Sequence, residues 1–334
     1  MEEIIKITKD IKAGLVKPIY FLMGEEPFYI DKITDFIENN ILSDDEKGFN
    51  QTVLYGRDVT IEDIIATAKR FPMMSEYQVV VIREAQELSR TIDKLENYLL
   101  NPQLSTVLVF AYKYKTIDKR KKFTKLIAEK GVLFESKKLY DNQVAPWISK
   151  YLSTKGYSIE PKANMMLVEF LGTDLSKVVN ELEKLQIILP KSATITPELI
   201  EKNIGISKDY NVFEFRNAIG NRDQLKAFKI AQYFARNPKE NPLVLITGQL
   251  NSFFTQLLTA HGLKDKTASN LAKSLGINPY FVKDIELSMR NYPMRKVSTI
   301  ISDLRVLDVK SKGVNANALS TDDLLKEVLV KIFM

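Results

Sequence analysis

The chain has 334 residues, 45% of them hydrophobic and 27% charged, with a net charge of +6 at pH 7. This is the balance of a globular protein with room for two or three domains, and the small basic excess permits contact with phosphate without requiring it. With no cysteine and a single histidine, His261, the sequence excludes disulfides, thiolate metal sites, cysteine nucleophiles and histidine-rich metal centres.

The opening residues, Met1 to Lys6, carry two glutamates in place of a basic segment and lead into no long apolar core. No stretch approaches the ~18 apolar residues of a membrane span, so a cytoplasmic, membrane-free protein is expected. Pro18 to Met23 is a short bulky run closed by Gly24, the pattern of a buried strand. Pro27 to Asn39 repeats apolar residues near the helical period. Thr52 to Tyr55 reads as a second strand and Ile61 to Arg70 as an amphipathic helix that Pro72 would end. Further strands are predicted over Gln78 to Ile82, Thr106 to Tyr112 and Val132 to Phe134, with a basic helix over Lys119 to Lys130 stopped by Gly131. Strands alternating with helices imply a parallel sheet covered on both faces.

Beyond Leu139 the pattern is helical. Leu175, Val178, Val179, Leu182 and Leu185 form one stripe behind the cap residue Asp174, and Pro197 suits the first turn of a short helix. Helices are also predicted over Val144 to Ser153, Lys162 to Leu171, Val212 to Ile219, Asp223 to Arg236, Pro242 to Leu258, Thr267 to Leu275, Pro279 to Asn291, Met294 to Val309 and Thr321 to Ile332. The expected class is α/β plus all-α: a parallel-sheet domain at 1–139, a small helical domain at 140–208 and a larger helical domain at 209–334.

A nucleotide-binding turn after the first strand would need G-x-x-x-x-G-K-[ST], whose backbone N–H groups curl around phosphate. Here the turn is Gly24, Glu25, Glu26, Pro27, running on to Lys32. The second glycine is missing, two carboxylates occupy the phosphate position, and Pro27 lacks a donor. After the third strand, where an ATPase would place an acidic pair for Mg²⁺, the chain has Arg83 then Glu84. The nucleotide site is degenerate, and no cofactor or metal is expected.

Three segments suggest binding. Phe71, Pro72, Met73 and Met74 crowd apolar side chains into one connection, either as a plug for a partner's pocket or as a cover for the sheet end. Lys113 to Lys122, with Lys119, Arg120, Lys121 and Lys122 at its densest, is either a contact for phosphate or an acidic partner, or a solvated helix start. Residues 267–282 fit a helix-turn-helix with Gly276 in the turn, a pattern that is more often an ordinary corner of an all-α domain than a DNA reader. His261, before Gly262 at a helix end, suits the helix dipole and has no catalytic neighbour.

Three stretches carry a family resemblance: Ile19 to Lys32, Thr106 to Phe123, and Gly172 to Leu185, with Asp174, Leu175, Asn180, Glu181, Lys184 and Leu185 the most specific. Leu304 to Asp308 followed by Lys310 to Gly313 adds to them. The chain resembles the delta subunits of the bacterial DNA polymerase III clamp loader along essentially its whole length. The resemblance implies an AAA+-like α/β domain, a helical lid and a helical collar that assembles with the motor (gamma/tau) and delta-prime subunits. It implies a subunit without catalysis of its own that binds and opens the sliding clamp (beta subunit) beside primed DNA, within a DNA polymerase holoenzyme. By position, Met73 and Met74 correspond to the family's apolar clamp-binding pair, with Met-Met a departure from a Leu-Phe-like pair. Phe71, two residues before the pair, is expected to add a neighbouring aromatic contact, on its place in this sequence rather than on the resemblance. The alternative function is a DNA-binding regulator using residues 267–282.

Overall fold

A computed structural model of the chain describes residues 2–312 and 319–334, which fall into two compact units divided between Leu139 and Tyr140. Gly313 lies outside the described residues.

The first unit is built on five parallel strands: β1 (Ile19–Gly24), β2 (Gln51–Tyr55), β3 (Gln78–Arg83), β4 (Thr106–Lys113) and β5 (Val132–Ser136), in the order β2-β3-β4-β1-β5. In the central pair Ile19 lies beside Leu108 and Gly24 beside Lys113. Alternate residues of each strand point to opposite faces. Phe21, Met23, Val80, Ile82, Leu108, Phe110 and Tyr112 meet Ile61, Ile64 and Ala68 of α4 (Ile61–Ala68), Tyr98 and Leu99 of α5 (Glu96–Leu100), and Phe123 and Ile127 of α6 (Lys122–Lys130). Tyr20, Leu22, Val79, Val81, Val107 and Val109 meet Ile7 and Ile11 of α1 (Glu2–Lys12) and Ile30, Ile33 and Ile37 of α2 (Pro27–Asn40). Both faces are dry, which is why the central strands are continuous apolar runs.

Helix α4 stops at Ala68, four residues before Pro72, so the proline does not end it. Thr106 Oγ1 donates to the Ala68 carbonyl (2.7 Å) and the buried Gln78 amide reaches the Arg70 carbonyl, so side chains from two strands satisfy the helix end. The basic helix α6 begins at Lys122 rather than Lys119, since residues 119–121 form its approach. A further helix, α3 (Asp44–Asn50), opens on a capping box between Ser43 and Glu46.

Among its described residues the second unit is helical apart from two short parallel strands, β6 (Ser158–Ile159) and β7 (Thr194–Ile195). Its first helices are α7 (Asp141–Thr154), α8 (Pro161–Leu171), α9 (Leu175–Ile188) and α10 (Pro197–Ile204). The predicted stripe on α9 is buried throughout, and Asp174 accepts from the Lys177 N–H (3.1 Å). Helices α11 (Val212–Gly220), α12 (Gln224–Arg236), α13 (Leu243–Gly262), α14 (Ala268–Leu275), α15 (Val282–Asn291), α16 (Met294–Ser311) and α17 (Thr321–Phe333) share one large core that includes Phe215, Phe234, Phe254, Leu304 and Leu325. The expected α/β plus all-α class is what the chain adopts.

Candidate functional site

Two places in the first unit bear on function. The first is the cleft at the carboxyl ends of the strands, where an α/β sheet of this kind ordinarily holds its ligand. Gly24 has φ of 133°, and a Cβ there would lie 1.9 Å from the Ser136 carbonyl oxygen. The glycine is therefore required by the close passage of the β5 end. Glu25 is exposed. Glu26 is buried and its carboxylate accepts from the Phe28 N–H (3.0 Å), so the chain's own anion sits at the α2 N-terminus. Lys32 lies over the Phe28 ring, 5.6 Å from its centre.

Arg83 and Lys113, at the ends of β3 and β4, extend the same arrangement. Arg83 Nη2 bonds Asp35 Oδ1 (2.9 Å) and Glu38 Oε1 (2.8 Å) of α2. Lys113 Nζ bonds Asp31 Oδ1 (2.8 Å) and Glu84 Oε1 (3.0 Å). Residues 31, 35 and 38 lie along one face of α2, so strand-end cations meet helix carboxylates down its length. Burial opposes both cations. Their carboxylate partners outweigh it and hold Arg83 and Lys113 above their ordinary pKa. Burial likewise opposes the Glu84 charge, but hydrogen bonds from Gln86 and Lys113 and the Lys113 charge hold its carboxyl below the usual value. The groups where a metal and polyphosphate would sit are paired with one another. Among the described residues no cluster of three or more His, Asp or Glu is arranged to hold a metal ion.

The second place is the connection from α4 to β3. Phe71 is 77% exposed, Met73 63% and Met74 fully exposed, while Pro72 is half-buried. These side chains do not cover the sheet end, which removes that reading of the segment. Met74 has φ of +53°, a left-handed conformation that a residue with a side chain adopts only when its surroundings impose it. Beside the tip, Phe71, Pro72, Pro102 and Leu104 line an open depression of about 590 Å³. Sequence reasoning missed four residues here: exposed Phe49 and Leu104, and buried Asn50 and Gln78. Phe49 and Leu104 were legible only as isolated apolar residues, and Asn50 and Gln78 act through tertiary hydrogen bonds that leave no local signal.

The densest part of the basic run, residues 119–122, is ion-paired at every position. Lys119 meets Glu135, Arg120 meets Asp118 (2.8 Å), Lys121 meets Asp93 (2.8 Å) and Lys122 meets Glu96 (2.6 Å). Hydrogen bonds from Arg120 hold the exposed Asp118 carboxyl down at about 2. A phosphate would have to compete with these internal partners. In the second unit, Gly276 takes the left-handed conformation after α14, and Leu271, Ala272, Phe281, Val282 and Ile285 around that corner are buried. His261 Nε2 lies 2.8 Å from the Tyr292 carbonyl oxygen, joining α13 to the end of α15. Among the described residues no helix is long and apolar enough to cross a membrane.

A family model described as DNA polymerase III, delta subunit, matches residues 20–137, and one described as the C-terminal domain of that subunit matches residues 209–326. The chain belongs to the DNA polymerase III delta subunit family. This delta-family chain is 24% identical to the DNA polymerase III subunit delta of Bacillus subtilis (strain 168), over 99% of its own length and 96% of that protein's. It is 23% identical to the probable DNA polymerase III subunit delta of Aquifex aeolicus (strain VF5), over 90% and 89% of the two lengths. The solved Bacillus subtilis DNA clamp loader delta protein shares its fold, with a TM-score of 0.56 over 99% of both chains at 23% identity.

Proposed function

We propose that this chain is the clamp loader subunit that binds and opens the DNA sliding clamp, and that it does so without hydrolysing ATP. The observation that carries the reading is the tip: Met73, the fully exposed Met74 in a left-handed conformation, and Phe71 beside them. Large apolar side chains held out into water mark a surface that gains stability by being covered. Burying Met73 and Met74 in a pocket on the clamp contributes ~3–6 kcal/mol before the costs of association. Methionine adapts to an irregular pocket, so a Met-Met pair serves where a partner surface changes shape. A tip that binds an open or distorted ring better than a closed one shifts the ring toward opening.

The internally paired cleft supports the second half of the proposal. ATP would have to displace the Glu26 cap and break the Arg83 and Lys113 pairs. In this reading residues 140–208 serve as a lid and 209–334 as the collar that meets the motor (gamma/tau) and delta-prime subunits. The nucleotide state of the motors then governs when the tip is free to reach the clamp, and primed DNA enters only in the assembled complex.

The test is binding of the purified chain to the sliding clamp of the same organism. The double variant Met73→Ala, Met74→Ala is expected to lose well over ~2 kcal/mol of binding, as an interface hot spot does. Binding that the double variant retains removes the site but not the function. Absence of binding by folded wild-type chain removes the function.

A further inference from the structure

The tip side chains stand clear of the protein because something holds the backbone beneath them. Asn50 is the last residue of α3 and is 4% exposed. Its Oδ1 accepts from the Met73 N–H (2.6 Å) and its Nδ2 donates to the Met73 carbonyl (2.9 Å). One side-chain amide thus satisfies both backbone groups of Met73, as a neighbouring strand would. Asn50 is itself anchored, since the next residue, Gln51, pairs with Val79 of β3. The other end of the connection is held by Gln78, whose amide reaches the Arg70 carbonyl and Thr106 Oγ1 (2.7 Å). Directly after the fastened Met73, Met74 is turned into the left-handed region.

We infer that Asn50 is a positioning residue for clamp binding: by fixing the Met73 backbone from both sides it keeps Met73 and Met74 presented in one binding-ready arrangement. This inference rests on the clamp-binding reading above. Without the Asn50 amide, the Met73 N–H and carbonyl have only water, Met74 relaxes out of its left-handed conformation, and the tip must be ordered again on each encounter. That ordering weakens the complex even though every apolar contact residue is still present.

The experiment measures clamp affinity for wild type, Asn50→Ala, Asn50→Asp, Met74→Ala, the Asn50→Ala, Met74→Ala double variant, and the Met73→Ala, Met74→Ala pair, with hydrogen exchange of residues 71–76 followed alongside. Asn50→Asp keeps the shape but sets a carboxylate oxygen against the Met73 carbonyl, and it carries the test if Asn50→Ala does not fold. Both Asn50 variants are expected to bind about tenfold more weakly, the size of losing two ordering hydrogen bonds. Their melting temperature should stay near wild type and faster exchange should be confined to the tip. In the Met74→Ala background the Asn50 change should have clearly less than its full effect, because less remains to be positioned. Wild-type affinity in both Asn50 variants, with binding lost by the methionine pair, overturns the inference and leaves the clamp reading standing. A full tenfold loss that ignores Met74 also overturns it, because Asn50 would then act on the clamp directly. If wild type binds no clamp, both readings fall.

Discussion

Replacing Arg83 by methionine tests whether the cleft is held together by its own charges. The substitution keeps an unbranched apolar stem on β3 and removes the cation. It leaves Asp35, whose side chain is 53% exposed, and Glu38, 14% exposed, without their shared partner. The Asp35 pair is mostly solvated and is worth ~0.2–1 kcal/mol. The Glu38 pair is largely shielded, and a charged hydrogen bond of that kind is worth ~1.5–3 kcal/mol. A loss of about 2–4 kcal/mol follows, which for a unit of this size lowers its melting temperature by roughly 6–13 °C. Hydrogen exchange of the β1 and β3 amides reads the first unit separately from the second. High salt should shrink the Asp35 share and spare the Glu38 share. Acid should act through Glu84. Its carboxyl lies below the ordinary value of 4.5, so its contribution is fully present above that pH and is lost as pH falls through the lower folded-state value. The raised Lys113 acts at the other end: its contribution is present below the ordinary lysine value of 10.5 and is lost as pH rises through the folded one. The reasoning is refuted by a change below ~0.5 kcal/mol, or by stabilisation of the wild-type first unit on adding Mg²⁺ and ATP.

Three further substitutions follow from the geometry. Gly24→Ala places a Cβ 1.9 Å from the Ser136 oxygen and forces β5 away from β1, so a loss above ~3 kcal/mol is expected in chemical denaturation. In the second unit Arg216 Nη1 lies 3.1 Å from Glu169 Oε1 with both side chains largely buried, and burial raises the Glu169 pKa despite the opposing Arg216 charge. Arg216→Met alone should destabilise by ~3–5 kcal/mol, whereas Arg216→Met with Glu169→Met should be close to neutral, as measured by urea unfolding. Thr60→Ala removes the capping box at the start of α4, where the Asp63 N–H donates to Thr60 Oγ1 (3.2 Å). That should cost about 1 kcal/mol in thermal unfolding.

The strands at 78–83 and 106–113 were legible because each is a bulky apolar run, and the α9 stripe because one face of a helix repeats at a fixed spacing. Helix α1 escaped notice because Ile4, Ile7 and Ile11 are set among charged residues, although their spacing is helical. The α3 helix is seven residues rich in acid, and the 3₁₀ turns at Ala85–Leu88 and Ile92–Leu95 are too short to show a period. Met73 and Met74 stood out as adjacent apolar residues on a connection, but whether they faced in or out depended on tertiary structure. The pairing of Arg83 with Asp35 and Glu38 was hidden for the same reason. The sequence shows that Arg83 is not an acid but not what it touches.

The strand order also bears on how the chain folds. In the central pair Ile19 lies beside Leu108, and β5 closes on the far side of β1. The first strand of the sheet therefore has no neighbouring strand until most of the unit has been made. Loop closure over such separations slows folding far more than it lowers final stability. Folding of the α/β unit from denaturant should be slow for this reason, with Ile19 to Met23 exposed in the interval as an unpaired apolar strand. Chaperone demand and aggregation during overproduction should then trace to that segment rather than to the methionine tip.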